Sequence, residues 1–142
     1  MKKEIEIAEL FISIKELIVK SRELAYRSTN TILLNMYWQM GQLIVEDEQN
    51  GNSKAVYGKS TLKNLSKALT LEFGKGFDYT NLTNMRNFYL AFPIIDAVRQ
   101  ELSWTHYRLL SRVDSEHKRM YYLNESIAGN WNSNSLQSNI KN

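Results

Sequence analysis

Cysteine is absent from these 142 residues, so neither a disulfide nor thiolate chemistry is available. With only two histidines, His106 and His117, a His-rich metal site is excluded as well. A single proline, Pro93, and six glycines leave few places to break a helix. No segment sustains the apolar/polar alternation of a half-buried strand. Long apolar runs are also missing. The N-terminal stretch MKKEIEIAELFISIKELIVK interleaves Glu and Lys with its apolar residues, unlike a signal peptide or a membrane span. No phosphate loop, nucleotide fingerprint or nucleophile elbow occurs. These absences lead to the expectation of a cytoplasmic, all-α protein with no membrane attachment, no catalytic residues, no metal and no cofactor.

What is present suits one compact domain over residues 1–142. The chain is long enough for one real core and too short for two ordinary ones, and 43% of its residues are apolar. The apolar spacing predicts a helical bundle of about six to seven helices containing a helix-turn-helix. Residues 1–50 read as an N-terminal helical hairpin, with Ser28, Thr29 and Asn30 offering a break and a recapping point. Its first helix carries Leu10, Phe11, Ile14, Leu17, Ile18 and Leu24 on one side and Ile12, Val19 and Tyr26 on another. A helix apolar on two sides packs on two sides. One of those partners is either another copy of the chain, giving a homodimer, or the rest of this one. QNGNSK, residues 49 to 54, reads as a loop.

Residues 55–93 carry the strongest pattern. Leu62, Leu65, Ala68, Leu69 and Phe73 share one sector of a 3.6-residue wheel, and Lys59, Lys63 and Lys67 form an i, i+4, i+8 stripe beside it. Gly74 sits where a left-handed C-cap is wanted, and Asp78 or Thr80 can cap the next helix. On that helix Leu82, Met85, Phe88, Tyr89 and Phe92 point one way. Thr80, Thr83, Asn84, Arg86 and Asn87 point roughly the other, and Pro93 ends it. If this second helix enters a major groove, Arg pairs with guanine, Asn with adenine, and Thr with phosphate or the thymine methyl. Lys59, Lys63, Lys67 and Lys75 would neutralise backbone phosphates. The charge distribution agrees: residues 51–112 hold 9 basic and 4 acidic side chains, against 6 and 8 in residues 1–50.

In residues 94–142 a short apolar segment, IIDAVRQEL, leads to a helix from Ser103 to Val113, then one capped by Asp114 and ending at Gly129. A last short helix is anchored by Trp131 and Leu136, with Ser133 or Ser135 as its cap. Trp104 and Tyr107, beside Arg108 and Arg112, either stack on bases or fill the core. His106 reads as a half-buried packing residue. Glu116-His117-Lys118 has the form of a nuclease E-x-K element, but acidic residues in a first helical turn are expected for dipole reasons alone.

Four pieces, YWQMGQLIVEDEQNG, YGKSTLKNLSKALTLEFGKGFDYTNLTNMRNFYLAFP, LSWTHYRLLSRV and RMYYLNESIAGNWNSNSLQSNI, stand in the order in which they occur in YhcG-type bacterial proteins. The chain resembles the N-terminal domain of that family, whose members carry a PD-(D/E)XK nuclease domain further along. LSWTHYRLL and the W-x-S-x-S-L element are more weakly similar to the helical DNA-binding core of ParB proteins. The resemblance implies an all-helical module that binds double-stranded DNA beside a nuclease, in a longer protein or as a partner. No nuclease domain is expected within these residues. The other reading is a protein-interaction or oligomerisation domain without direct DNA contact.

Overall fold

The structure, a computed structural model, describes residues 2–50 and 59–142, with side chains described from Glu9 to Gln49 and from Thr61 onward. Six α-helices and no strand occur among them: α1 Lys2–Asn50, α2 Lys59–Phe73, α3 Tyr79–Ala91, α4 Trp104–Ser111, α5 Glu116–Ala128 and α6 Ser133–Lys141. A 3-10 turn, Ile95–Ala97, lies between α3 and α4. The all-α bundle expected from the periodicity is therefore the observed architecture.

The expected N-terminal hairpin is corrected. Residues 2 to 50 form one unbroken helix, because the break residues serve other ends. The hydroxyls of Thr29 and Thr31 donate back to the carbonyls of Ala25 and Arg27, each at 2.9 Å. Back-bonding of this kind keeps a Thr inside a helix where it would otherwise cap one. Asn30 reaches across instead, its Nδ2 donating to the carbonyls of Leu102 at 3.0 Å and Gln100 at 3.3 Å. That contact marks where α1 meets the body of the domain. Before it, the helix projects as an arm.

The second half of α1 is docked on α3. Gly41 permits this: a Cβ there would lie 2.2 Å from the backbone carbonyl oxygen of Met85. Trp38 seals the far end, its Nε1 donating to the carbonyl of Phe92 at 2.7 Å. Around them one cluster gathers Leu34, Phe88, Phe92, Tyr107, Leu110, Leu123 and Leu136, and a smaller one joins Ile44, Leu62, Leu82 and Met85. The rings of Phe88 and Phe92 stand 5.0 and 5.1 Å from that of Tyr107, within the range where tilted and edge-on aromatic pairs attract. Tyr107 is thus core. Trp104 is half-buried against Tyr37 and Phe88.

Caps define the C-terminal helices, and two differ from expectation. Ser103 caps α4 as expected, with His106 completing a capping box. Ser115, not Asp114, caps α5, and Asn132, not Ser133 or Ser135, caps α6. Each of these side chains sits three residues before the N–H it accepts from, and neighbouring polar residues made the position ambiguous by one to three. Arg119 of α5 donates to the carbonyls of Leu110, in the last turn of α4, and Val113, just beyond its cap. His106 is buried and bridges Ser103 to the Trp131 carbonyl, 2.8 Å from its Nε2. It is a packing residue, as its sequence context suggested.

Candidate nucleic-acid interface

Within 55–93, where a helix-turn-helix is expected, the described residues form two helices, α2 and α3, joined by residues 74 to 78. Gly74 and Gly76 adopt φ of +84° and +107°, a conformation an L side chain resists, so the turn depends on them. Asp78 caps α3, its Oδ1 accepting from the Asn81 N–H at 2.8 Å, and Asn81 Nδ2 donates in turn to the Gly76 carbonyl. Ser66 on α2 fastens the turn from the other side, its hydroxyl donating to the Phe77 carbonyl at 2.8 Å.

Among the described side chains of α2 only Leu62 and Ser66 are buried; Leu65, Ala68 and Phe73 of the expected core sector are exposed, and Leu71 is bare. The helix rests on α3 along a narrow strip. Lys63 and Lys67 follow that strip by one residue and are exposed, as are Lys75 in the turn and Thr80 at the start of α3. Lys63, Lys67 and Lys75 form no ion pair among the described residues. Lys59 opens α2, but its side chain lies outside the described residues, as do residues 51 to 54 of the expected loop.

The polar side of α3 is not the open face its sequence suggests. The helix lies between α1 and α4, and both take part of that side. Asn84 is 4% exposed and accepts from Arg112 Nη2 at 3.3 Å. Arg86 is tied to Glu48 by two hydrogen bonds of 2.7 and 2.8 Å. Thr83 is half-buried and donates to the Tyr79 carbonyl, and Asn87 is half-buried. Of the expected base-reading group, Thr80 alone is exposed.

Two arginines that the sequence pointed to only as neighbours of aromatics occupy a prominent place. Arg108 on α4 and Arg112, the residue that caps its C-terminal end, stand one turn apart and line the space between α3 and α6. Arg108 borders a pocket of about 350 Å³ with Thr80, Asn84 and Trp104. Its Nε is buried without a hydrogen-bond partner among the described residues. Arg112 opens onto a groove of about 720 Å³ between α4, α5 and α6, lined also by His117, Lys118, Tyr121 and Lys141. The i, i+4 spacing of Arg108 and Arg112 was a usable signal for their shared face. The arrival of Lys141 beside Arg112 was not, because it depends on how α6 packs.

Comparison with known proteins now bears on what this surface serves. The family model described as the DUF1016 N-terminal domain matches residues 13–142. The chain belongs to that family. It is 39% identical over 87 residues to the protein named "Putative nuclease YhcG" of Escherichia coli (strain K12), a match covering 61% of this chain and 23% of that protein. The YhcG-type resemblance carried by the four sequence pieces is therefore the family found. No solved structure matches the chain. No helix among the described residues is long and apolar enough to cross a membrane.

Proposed function

We propose that this domain binds double-stranded DNA and places an associated nuclease upon it, in the cytoplasm. It takes no catalytic step itself; cleavage falls to the remainder of such proteins. What carries the reading is the run of exposed lysines that form no ion pair among the described residues, Lys63 and Lys67 on α2 and Lys75 in the turn, next to Thr80 at the start of α3. Such cations attract phosphate at long range and fix register without reading bases. Lys59 continues the stripe in sequence.

The sequestered state of Asn84 and Arg86 refines the proposal. For either to reach a base edge it must leave Arg112 or Glu48. Thr83 and Asn87 sit half-covered, so they act at the margin of the contact. The interface is accordingly made mainly of phosphate contacts and tolerates changes of sequence. The test is the affinity for unrelated duplexes of equal length over a salt series: similar affinities that fall steeply with salt agree with it. A duplex affinity that does not respond to salt would rule it out.

A second reading has an observation of its own. The α1 arm exposes Phe11, Ile12, Ile18 and Tyr26, among others, which favours an interaction or oligomerisation role. The two roles are compatible, since they use different exposed residues.

A further inference from the structure

Three hollows lie side by side along α4, with arginines between them. The pocket of about 350 Å³ on the α3 side is bounded by Tyr37, Thr80, Asn84, Trp104 and Arg108. A smaller one of about 220 Å³ on the α6 side shares Arg108 with it. That one in turn shares Leu109, Arg112 and Gln137 with the groove of about 720 Å³ toward α5. Trp104, Arg108 and Arg112 follow at four-residue spacing, which sets them on one side of the helix and its cap. His106, Tyr107 and Leu110 are buried on the other. The hollows therefore make one track, from Gly76 in the turn before α3 to Lys141 at the end of α6.

The track is basic and has aromatic rings at both ends. Arg108, Arg112, Lys118 and Lys141 line it, and none forms an ion pair among the described residues. Two carboxylates oppose them, Asp78 and Asp114, and Asp78 already accepts the Asn81 N–H. At one end the Trp104 ring stands 4.7 Å from that of Tyr37. At the other Tyr121, 56% exposed, stands 5.3 Å from Tyr122. Arg108 Nε is buried with no hydrogen-bond partner among the described residues. Leaving a donor of a charged group unmade is costly, so this guanidinium gains a bond by turning to an oxygen that a ligand brings.

We propose that this track holds a single strand of nucleic acid, with bases stacked on Trp104 and Tyr121 and phosphates on Arg108, Arg112, Lys118 and Lys141. A positive groove with aromatic platforms binds such strands with little regard to sequence. A duplex keeps its bases stacked inside and offers the rings nothing. An acidic peptide would meet the cations and leave the rings idle. Apart from Thr80 and Asn84, the residues of the track are not those of the duplex surface, so either site can fail alone.

Fluorescence anisotropy of the 142-residue chain with a labelled thymidine oligonucleotide of about 12 nucleotides tests the proposal. Tyr121→Ala should weaken binding at least about 5-fold, the lower end of what one stacked base contributes. Arg108→Gln should weaken it too. Lys118→Glu/Lys141→Glu, both at exposed positions, should make log affinity fall less steeply with log salt, by about 1.4 for two lost contacts. Lys63→Glu/Lys67→Glu should leave single-strand affinity unchanged, and Tyr121→Ala should leave duplex affinity unchanged. A uridine oligoribonucleotide of equal length tells RNA from DNA as the source of the strand. Failure of the thymidine oligonucleotide to bind, affinity indifferent to Tyr121→Ala and to the Lys118 and Lys141 charges, or its displacement by polyglutamate as readily as by unlabelled oligonucleotide would each overturn the proposal. Loss of duplex binding alone would sink only the duplex reading.

Discussion

Arg86 grips Glu48 with a fork of two parallel hydrogen bonds, Nε to Oε2 at 2.7 Å and Nη2 to Oε1 at 2.8 Å. The pair ties the middle of α3 to the end of α1, across 38 residues of sequence. Bidentate geometry makes it stronger than an ordinary surface ion pair, whereas partial solvent access, 30% and 28%, limits what it contributes. A double-mutant cycle with Glu48→Gln and Arg86→Gln should give a coupling of about 1 kcal/mol by urea unfolding. A coupling near zero would mean that the fork forms without stabilising the fold.

Tyr107 supplies a pH dependence. It is fully buried among Phe88, Phe92 and Leu110, and its hydroxyl donates to the Arg99 carbonyl at 2.9 Å while accepting from the Arg99 N–H. Burial pushes its pKa up from 10.0 to about 12. The neutral phenol is the form the fold favours, so its contribution is complete below pH 10 and fades as pH rises toward 12. A shift of this size corresponds to ~2–3 kcal/mol at most. Wild type should lose more stability than Tyr107→Phe between pH 10 and 12. At neutral pH the same variant should be less stable by about 1 kcal/mol through the lost hydrogen bonds.

Gly41 is where α1 and α3 come closest. Adding one methyl group there sets it 2.2 Å from the Met85 carbonyl oxygen and 3.0 Å from Tyr89 Cβ. Because the first of these is backbone, the helices must separate. Gly41→Ala should cost at least about 2 kcal/mol despite alanine's better helix propensity, measured as a lowered midpoint of thermal unfolding. A neutral or stabilising effect would contradict the close helix contact.

Much of this architecture could be read from the residues. Leu82, Met85, Phe88 and Phe92 declared a buried face by their spacing, and all four are core. Gly74 marked a left-handed turn and Asp78 a cap because few other residue types do those jobs. The failures share a cause. Thr29 and Asn30 look like a helix break by type, yet Thr29 bonds within the helix and Asn30 bonds to residues 70 and more away. Asn84 looks like surface and is buried because Arg112 and α4 cover it. Phe73 fits an apolar sector and remains exposed because the ring of Phe77, 6.0 Å away, covers it only in part. Local pattern shows which side is apolar; it does not show which neighbour arrives.

The central claim is that the lysines of α2 hold DNA by its phosphates, and the salt dependence of that binding tests it most directly. Fluorescence anisotropy with a labelled duplex, repeated at several salt concentrations, should give a steep line of log affinity against log salt for the wild-type chain. The Lys63→Glu/Lys67→Glu chain should bind more weakly, with a slope shallower by about 2, near one unit per lost contact. If both chains give the same affinity and the same slope, these lysines do not contact DNA and the account is wrong.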